Sequence, residues 1–129
     1  MQDMFDLTLE SNRFDAVLCI WTQGHGLKEQ IQKSVNNVHR VLNPSGMTVM
    51  DFVTIDDKTY GVGKEIAKNT FVGGRPGEED IPHWYATKKD LKKMFSKFNN
   101  VKYINSTYQF KDNSREERTI EAIVVQATK

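Results

Sequence analysis

The run Phe14-Asp15-Ala16-Val17-Leu18-Cys19-Ile20-Trp21-Thr22 is almost continuously apolar over the length of one strand, the pattern of a strand covered on both faces inside a sheet. Beyond it the period changes. Leu27, Ile31, Val35, Val38, Val41 and Leu42 recur three or four residues apart, which predicts a helix with one apolar stripe. Asn43-Pro44-Ser45-Gly46 ends that helix, since Pro44 cannot extend it and Asn, Pro and Gly stand at the first, second and fourth places of a type I turn. Met47 to Val53 follows as a second mostly apolar strand. Two strands joined through a helix predict a right-handed crossover with both strands parallel in one sheet.

Composition narrows the class. With 129 residues and 38% apolar side chains the chain fits one domain with a modest core. The 18 basic and 17 acidic residues leave a net charge of +1, so charge alone points to neither nucleic acid nor an anionic membrane as partner. The single cysteine, Cys19, lies mid-strand and reads as a small buried hydrophobe. It has no internal disulfide partner, which suits a reducing compartment. With no apolar stretch of about 18 residues and no basic-then-apolar leader, the expectation is a cytoplasmic protein.

The flanks are less regular. Residues 1–13 read as a loop leading into the first strand. Residues 54–86 hold most of the glycines and two of the three prolines, a composition expected of an irregular, lid-like insertion over a substrate. Within it, residues 64–71 could form a short helix. Gly61-Val62-Gly63 lacks the third glycine of a dinucleotide fingerprint. Thr87-Lys88-Lys89-Asp90 resembles a capping box, and Leu91, Met94, Phe95 and Phe98 continue it as one apolar helix face. Val101 to Phe110 and Thr119 to Ala127 then predict two strands, joined by a charged loop over 111–118, as an antiparallel pair.

These residues resemble a family. Asp3-Met4, then Ser11-Asn12-Arg13-Phe14-Asp15-Ala16-Val17, then Val38-His39-Arg40-Val41-Leu42-Asn43-Pro44-Ser45-Gly46 and the strand after it look like the second half of a class I S-adenosylmethionine-dependent methyltransferase. The resemblance implies an α/β fold, a partial Rossmann-like sheet whose four strands correspond to strands 4, 5, 6 and 7 in the order 4-5-7-6, with helices on its faces. The family's first strand and its Gly-x-Gly-x-Gly turn have no counterpart in this sequence, so the expectation is a single, incomplete methyltransferase-like domain over 1–129. By the same resemblance the cofactor is S-adenosylmethionine. Asp3 would accept from the adenine amino group and the Met4 N–H would reach the ring, while Ile20, Trp21 and Thr22 would face cofactor and substrate at the carboxyl edge of the sheet.

Each candidate has a plainer reading beside it. Asp3 could be a solvated loop acid, and Trp21 a core residue ending an apolar strand. His25, between Gly24 and Gly26, is a mobile imidazole suited to act as a base near neutral pH, or a loop histidine without chemistry. His83-Trp84-Tyr85 is the second candidate, with His83 and Tyr85 either over the substrate or packed. His39, on the helix, reads as structural. No His, Cys or Asp cluster has metal-ligand spacing, so no metal is expected.

Function follows in three classes. The first is methyl transfer to an unidentified small-molecule acceptor by a truncated or half domain. The second is a non-catalytic binding or oligomerisation module descended from such an enzyme. The third, another α/β nucleotide-binding enzyme, fits the Arg40-Val41-Leu42-Asn43-Pro44-Ser45-Gly46 pattern poorly. Because the 14–22 strand would lack a neighbour on one side, it is expected to pair with a second copy or with a missing N-terminal half.

Overall fold

The computed structural model describes residues 2–111 and 115–129, so part of the 111–118 loop lies outside the described residues. Nine elements follow in order: β1 (Phe14–Cys19), α1 (Lys28–Val41), β2 (Leu42–Val53), β3 (Lys64–Ala67), β4 (Thr70–Val72), β5 (His83–Trp84), α2 (Lys88–Met94), β6 (Asn99–Lys111) and β7 (Glu117–Thr128). The main sheet has the order β1-β2-β7-β6. β1 and β2 are parallel, and β7 runs antiparallel to both β2 and β6. This is the expected order 4-5-7-6.

Side-chain alternation divides the sheet into two unlike faces. Cys19, Met50, Val125 and Tyr103 stand in one row across the four strands and meet Ile31, Val35 and Val38 of α1 and Leu91 and Met94 of α2 in the core. Phe52 sits at its centre, edge-on to Trp84 and Phe95. The neighbouring row, Leu18, Val49, Gln126 and Lys102, faces the other way. Leu18 is 72% exposed. The expectation of a first strand covered on both faces is therefore corrected: both helices lie on one side, and β1 is an edge strand of the described sheet.

Two further local readings change. Residues 64–71 form a hairpin, not a helix: every β3 residue is exposed, so a helix there would have no apolar stripe to bury. Asn69, at φ +57°, closes the two-residue turn between paired Ala67 and Thr70. β4 pairs in turn with β5, so part of the 54–86 segment is a small three-stranded sheet rather than irregular chain. The second change concerns Asn43 to Gly46, which bulges within β2, between the pairs Phe14↔Leu42 and Ala16↔Met47. Only glycine fits its end, since a Cβ on Gly46 would lie 2.8 Å from the Asn43 carbonyl oxygen.

The helix ends are tied to other elements. Arg40 donates to the carbonyls of Leu7 and Leu9, and Lys129 Nζ donates to those of Arg40 and Leu42, which clamps the N-terminal segment and the last residue onto the end of α1. At α2 the capping box is present: Thr87 Oγ1 accepts from Asp90 N at 3.1 Å and donates to its carboxylate at 2.6 Å. Asp90 also pairs with Lys28 of α1 at 2.6 Å. Thr87→Ala is expected to cost about 1 kcal/mol of stability, measured by urea unfolding; an unchanged midpoint would mean that the cap does not hold α2.

Candidate functional site

β1 and β2, being parallel, end on the same edge of the sheet, and the chain leaving β1 turns sharply there. Trp21 adopts φ +60°, a left-handed conformation that a bulky residue holds only when its surroundings compel it. Its N–H donates to Asp51 Oδ1 at 2.7 Å, and its ring packs on Tyr108 and Phe110 at centroid distances of 5.8 and 4.7 Å. Asp51 is the one charged residue in β2 and is 6% exposed. Burial pushes its carboxyl pKa up, against the Trp21 N–H and the Tyr108 hydroxyl, which both donate to the charged form. Burial and the Asp51 charge likewise raise the Tyr108 phenol.

Loop and strand are then laced together. Trp84 N donates to the Gly24 carbonyl and Gly26 N to the Pro82 carbonyl, so that His25 and His83 form an antiparallel bridge. Their rings stand edge to face, 5.0 Å apart. Opposite them, Arg75-Pro76-Gly77-Glu78 makes a type II turn, with Gly77 at φ +83° and Glu78 N bonded to the Arg75 carbonyl at 3.0 Å. That turn brings Glu78 to 2.8 Å from His83 Nε2 and 3.7 Å from His25 Nε2. Burial and the Arg75 charge lower the His83 pKa, while Glu78 opposes them.

A cleft opens between these groups, lined by Trp21, Thr22, Gln23, His25, Asp51, Arg75, His83 and Tyr108 among others. Gln23 Oε1 and Arg75 Nε are buried without a hydrogen-bond partner. They leave the wall one unused acceptor and one unused donor.

Of the residues singled out in the sequence, Trp21, Thr22, His25 and His83 line this cleft. Ile20 is 45% exposed beside it. Tyr85 does not line the cleft: it is buried beneath Arg75, whose guanidinium lies 5.9 Å from its ring centroid, its hydroxyl donates to Thr59, and its ring packs with Tyr60 and Phe71. Asp3 is exposed and accepts from Phe5 N at 2.8 Å, while Met4 packs against the core. The Phe5 ring abuts Gly26, so the Asp3–Met4 turn adjoins the loop that carries His25. Asp51, Arg75, Glu78 and Tyr108 were not singled out. The lone acid inside an apolar strand was the signal for Asp51, and Pro76-Gly77 for the turn that presents Arg75 and Glu78.

Comparison with known proteins agrees with the fold. Residues 1–50 match the family model described as a methyltransferase domain. No curated protein matches the sequence. Among solved structures, a SAM-dependent methyltransferase from Methanosarcina mazei superposes with a TM-score of 0.75 at 16% identity, over 99% of this chain and 65% of that one. A SAM-dependent methyltransferase from Thermotoga maritima, described as a possible histamine N-methyltransferase, gives 0.63 at 17% identity over 99% and 62%. The 1,6-didemethyltoxoflavin-N1-methyltransferase of Burkholderia thailandensis, solved with S-adenosylhomocysteine, gives 0.59 at 15% over 98% and 48%. The chain thus spans 65% or less of the length of each of these. Its resemblance to class I S-adenosylmethionine-dependent methyltransferases stands on the family match and on the fold. Among the described residues, no helix is long and apolar enough to cross a membrane.

Asp51 supplies a pH test. Its raised pKa means that the folded state favours the neutral carboxyl, a contribution present below about pH 3.9 and lost as pH rises through the folded value. Asp51→Asn is therefore expected to match the parent's stability in acid and to melt higher than the parent at pH 7. A variant that is less stable at pH 7 would mean that the charged form is the one the fold prefers.

Proposed function

We propose that this chain takes part in S-adenosylmethionine-dependent methyl transfer to a small-molecule acceptor, as part of a methyltransferase domain. The observation that carries the reading is the cleft at the carboxyl ends of β1 and β2, where open α/β sheets bind ligands. The residues present fit two portions of the cofactor's surroundings. Asp3 and the Met4 N–H, on the turn beside Gly26, would hold the adenine, and Trp21 and Thr22 would wall the side toward the acceptor. The family's Gly-x-Gly-x-Gly cradle has no counterpart among the 129 residues.

When bound, S-adenosylmethionine supplies a methyl group already activated on a sulfonium, so the protein's task is mainly to orient the acceptor. Thr22, Gln23 and Arg75 offer the hydrogen bonds for that, and Trp21 excludes water from one side. His25, half-buried on the cleft wall, takes the proton of an acceptor that must lose one. His83 is held by Glu78 and is suited to positioning.

Calorimetric titration of S-adenosylhomocysteine into the purified chain tests this. Micromolar binding, weakened about tenfold by Asp3→Ala through loss of a charge-assisted hydrogen bond, supports it. No heat up to millimolar ligand overturns cofactor binding by this chain on its own.

A second reading has its own observation. Leu18, Ile20, Met47 and Ile104 are exposed, and Leu18 and Ile104 lie on the sheet face opposite α1 and α2. Such a surface beside an open edge strand favours association. In this reading the chain is a binding or oligomerisation module that pairs along β1 with a second copy or with a further strand-and-helix half. Light scattering over a wide concentration range tests self-association, and a monomer at every concentration counts against it.

A further inference from the structure

Three potential ligands meet at the cleft, His25 from the loop after β1 and the neighbouring Glu78 and His83 from far along the chain. His25, Glu78 and His83 each offer one ligand atom, and these atoms lie within 4.8 Å of one another. The set is held from three sides. Backbone bonds from Gly26 N to the Pro82 carbonyl and from Trp84 N to that of Gly24 fix the two histidines against each other. The type II turn, closed by Glu78 N to Arg75 O and followed by Ile81 N to Glu78 O, fixes the carboxylate between them. The His83 side chain is 5% exposed, whereas His25 and Glu78 remain reachable at 31% and 36%. The site is thus anchored at the bottom and open above.

We infer that His25, Glu78 and His83 form a binding site for a borderline divalent cation of the zinc type. Two imidazole nitrogens and one carboxylate are the donor set of three-ligand zinc sites that keep a fourth position open. At metal–ligand distances of about 2.0–2.1 Å, tetrahedral ligands lie roughly 3.3 Å apart. The separations are 2.8 Å from His83 Nε2 to Glu78 Oε2 and 3.7 Å from His25 Nε2 to Glu78 Oε1, and the three ligand atoms lie within 4.8 Å of one another, so the side chains close on the ion by rotating inward. The Glu78 charge compensates the cation, and the fourth position faces the cleft.

Arg75 lines that cleft with its Nε unpartnered. A guanidinium near a cation is repulsive, and an anionic oxygen donor between the two relieves both charges. Only the identity of this fourth ligand rests on the methyl-transfer reading, in which it is an acceptor bearing a carboxylate or a similar anion. With a metal bound, His25 acts as a ligand rather than as a base. This proposal departs from the expectation of no metal, which considered spacing along the chain alone.

The test is titration of chelator-treated full chain with Zn2+, and with Co2+ as a spectroscopic probe, in the absence of any cofactor. One equivalent is expected to bind, with a visible Co2+ band of low-coordinate type and a higher melting temperature. His25→Ala and Glu78→Gln, both on accessible loops, are expected to weaken binding about tenfold or more, while His39→Gln leaves it unchanged. Lack of stoichiometric binding, or variants at positions 25 and 78 that bind as the parent does, would overturn the site. Because S-adenosylhomocysteine is titrated separately into metal-free chain, failure of either reading is distinguishable from failure of the other.

Discussion

The carboxylate of Asp51 is the constraint on which the working edge of this molecule depends. β2 is flanked by β1 and β7, and at its carboxyl end the chain buries a charge. An isolated buried carboxylate would be prohibitive. Here the Trp21 N–H donates to it and the Tyr108 phenol stands beside it, and each neighbour has a structural consequence. The hydrogen bond fixes the left-handed turn that redirects the chain out of β1. The phenol brings β6 to the end of β2 across β7. Trp21 then lies against Tyr108 and Phe110, closing one wall of the cleft.

The remaining walls come from segments with little regular structure of their own. The strand pair around His25 and His83 is held by backbone bonds rather than by a helix, and the Arg75–Glu78 turn is held by proline and glycine geometry. Such a construction places polar groups accurately while leaving the loops with few apolar contacts, the part of a fold that opens most readily. It suits a site that must admit a ligand. The core, by contrast, is concentrated between one sheet face and the two helices, around Phe52.

The one-sidedness of the sheet sets what the molecule can do next. Leu18 and Ile104 lie on a face with no helix packed against it among the described residues, and β1 presents an unpaired row of backbone groups. The solved structures on which this chain superposes are longer than it is. The proposed cofactor, metal and association sites would share the same carboxyl edge or the strand that leads to it.

Local pattern in the sequence determined the element order from β1 through α1 to β2, the capped second helix and the final antiparallel pair. In each case the information lies within a few residues: apolar period, a capping threonine, a turn built on proline or glycine. It also singled out His25, His83, Trp21 and Thr22, four residues that line the cleft. The exposure of β1 was not legible, because an apolar run does not say which neighbours arrive to cover it. Nor was the hairpin over 64–72, whose turn depends on Asn69 and whose second strand needs β5 as a partner. The joining of Asp51 with Trp21 and Tyr108, the withdrawal of Tyr85 to Thr59, and the meeting of His25, Glu78 and His83 were decided by tertiary structure alone. Apart from Glu78–His83, those contacts span tens of residues, and only the register of the sheets and the bonds between loops bring their partners within reach.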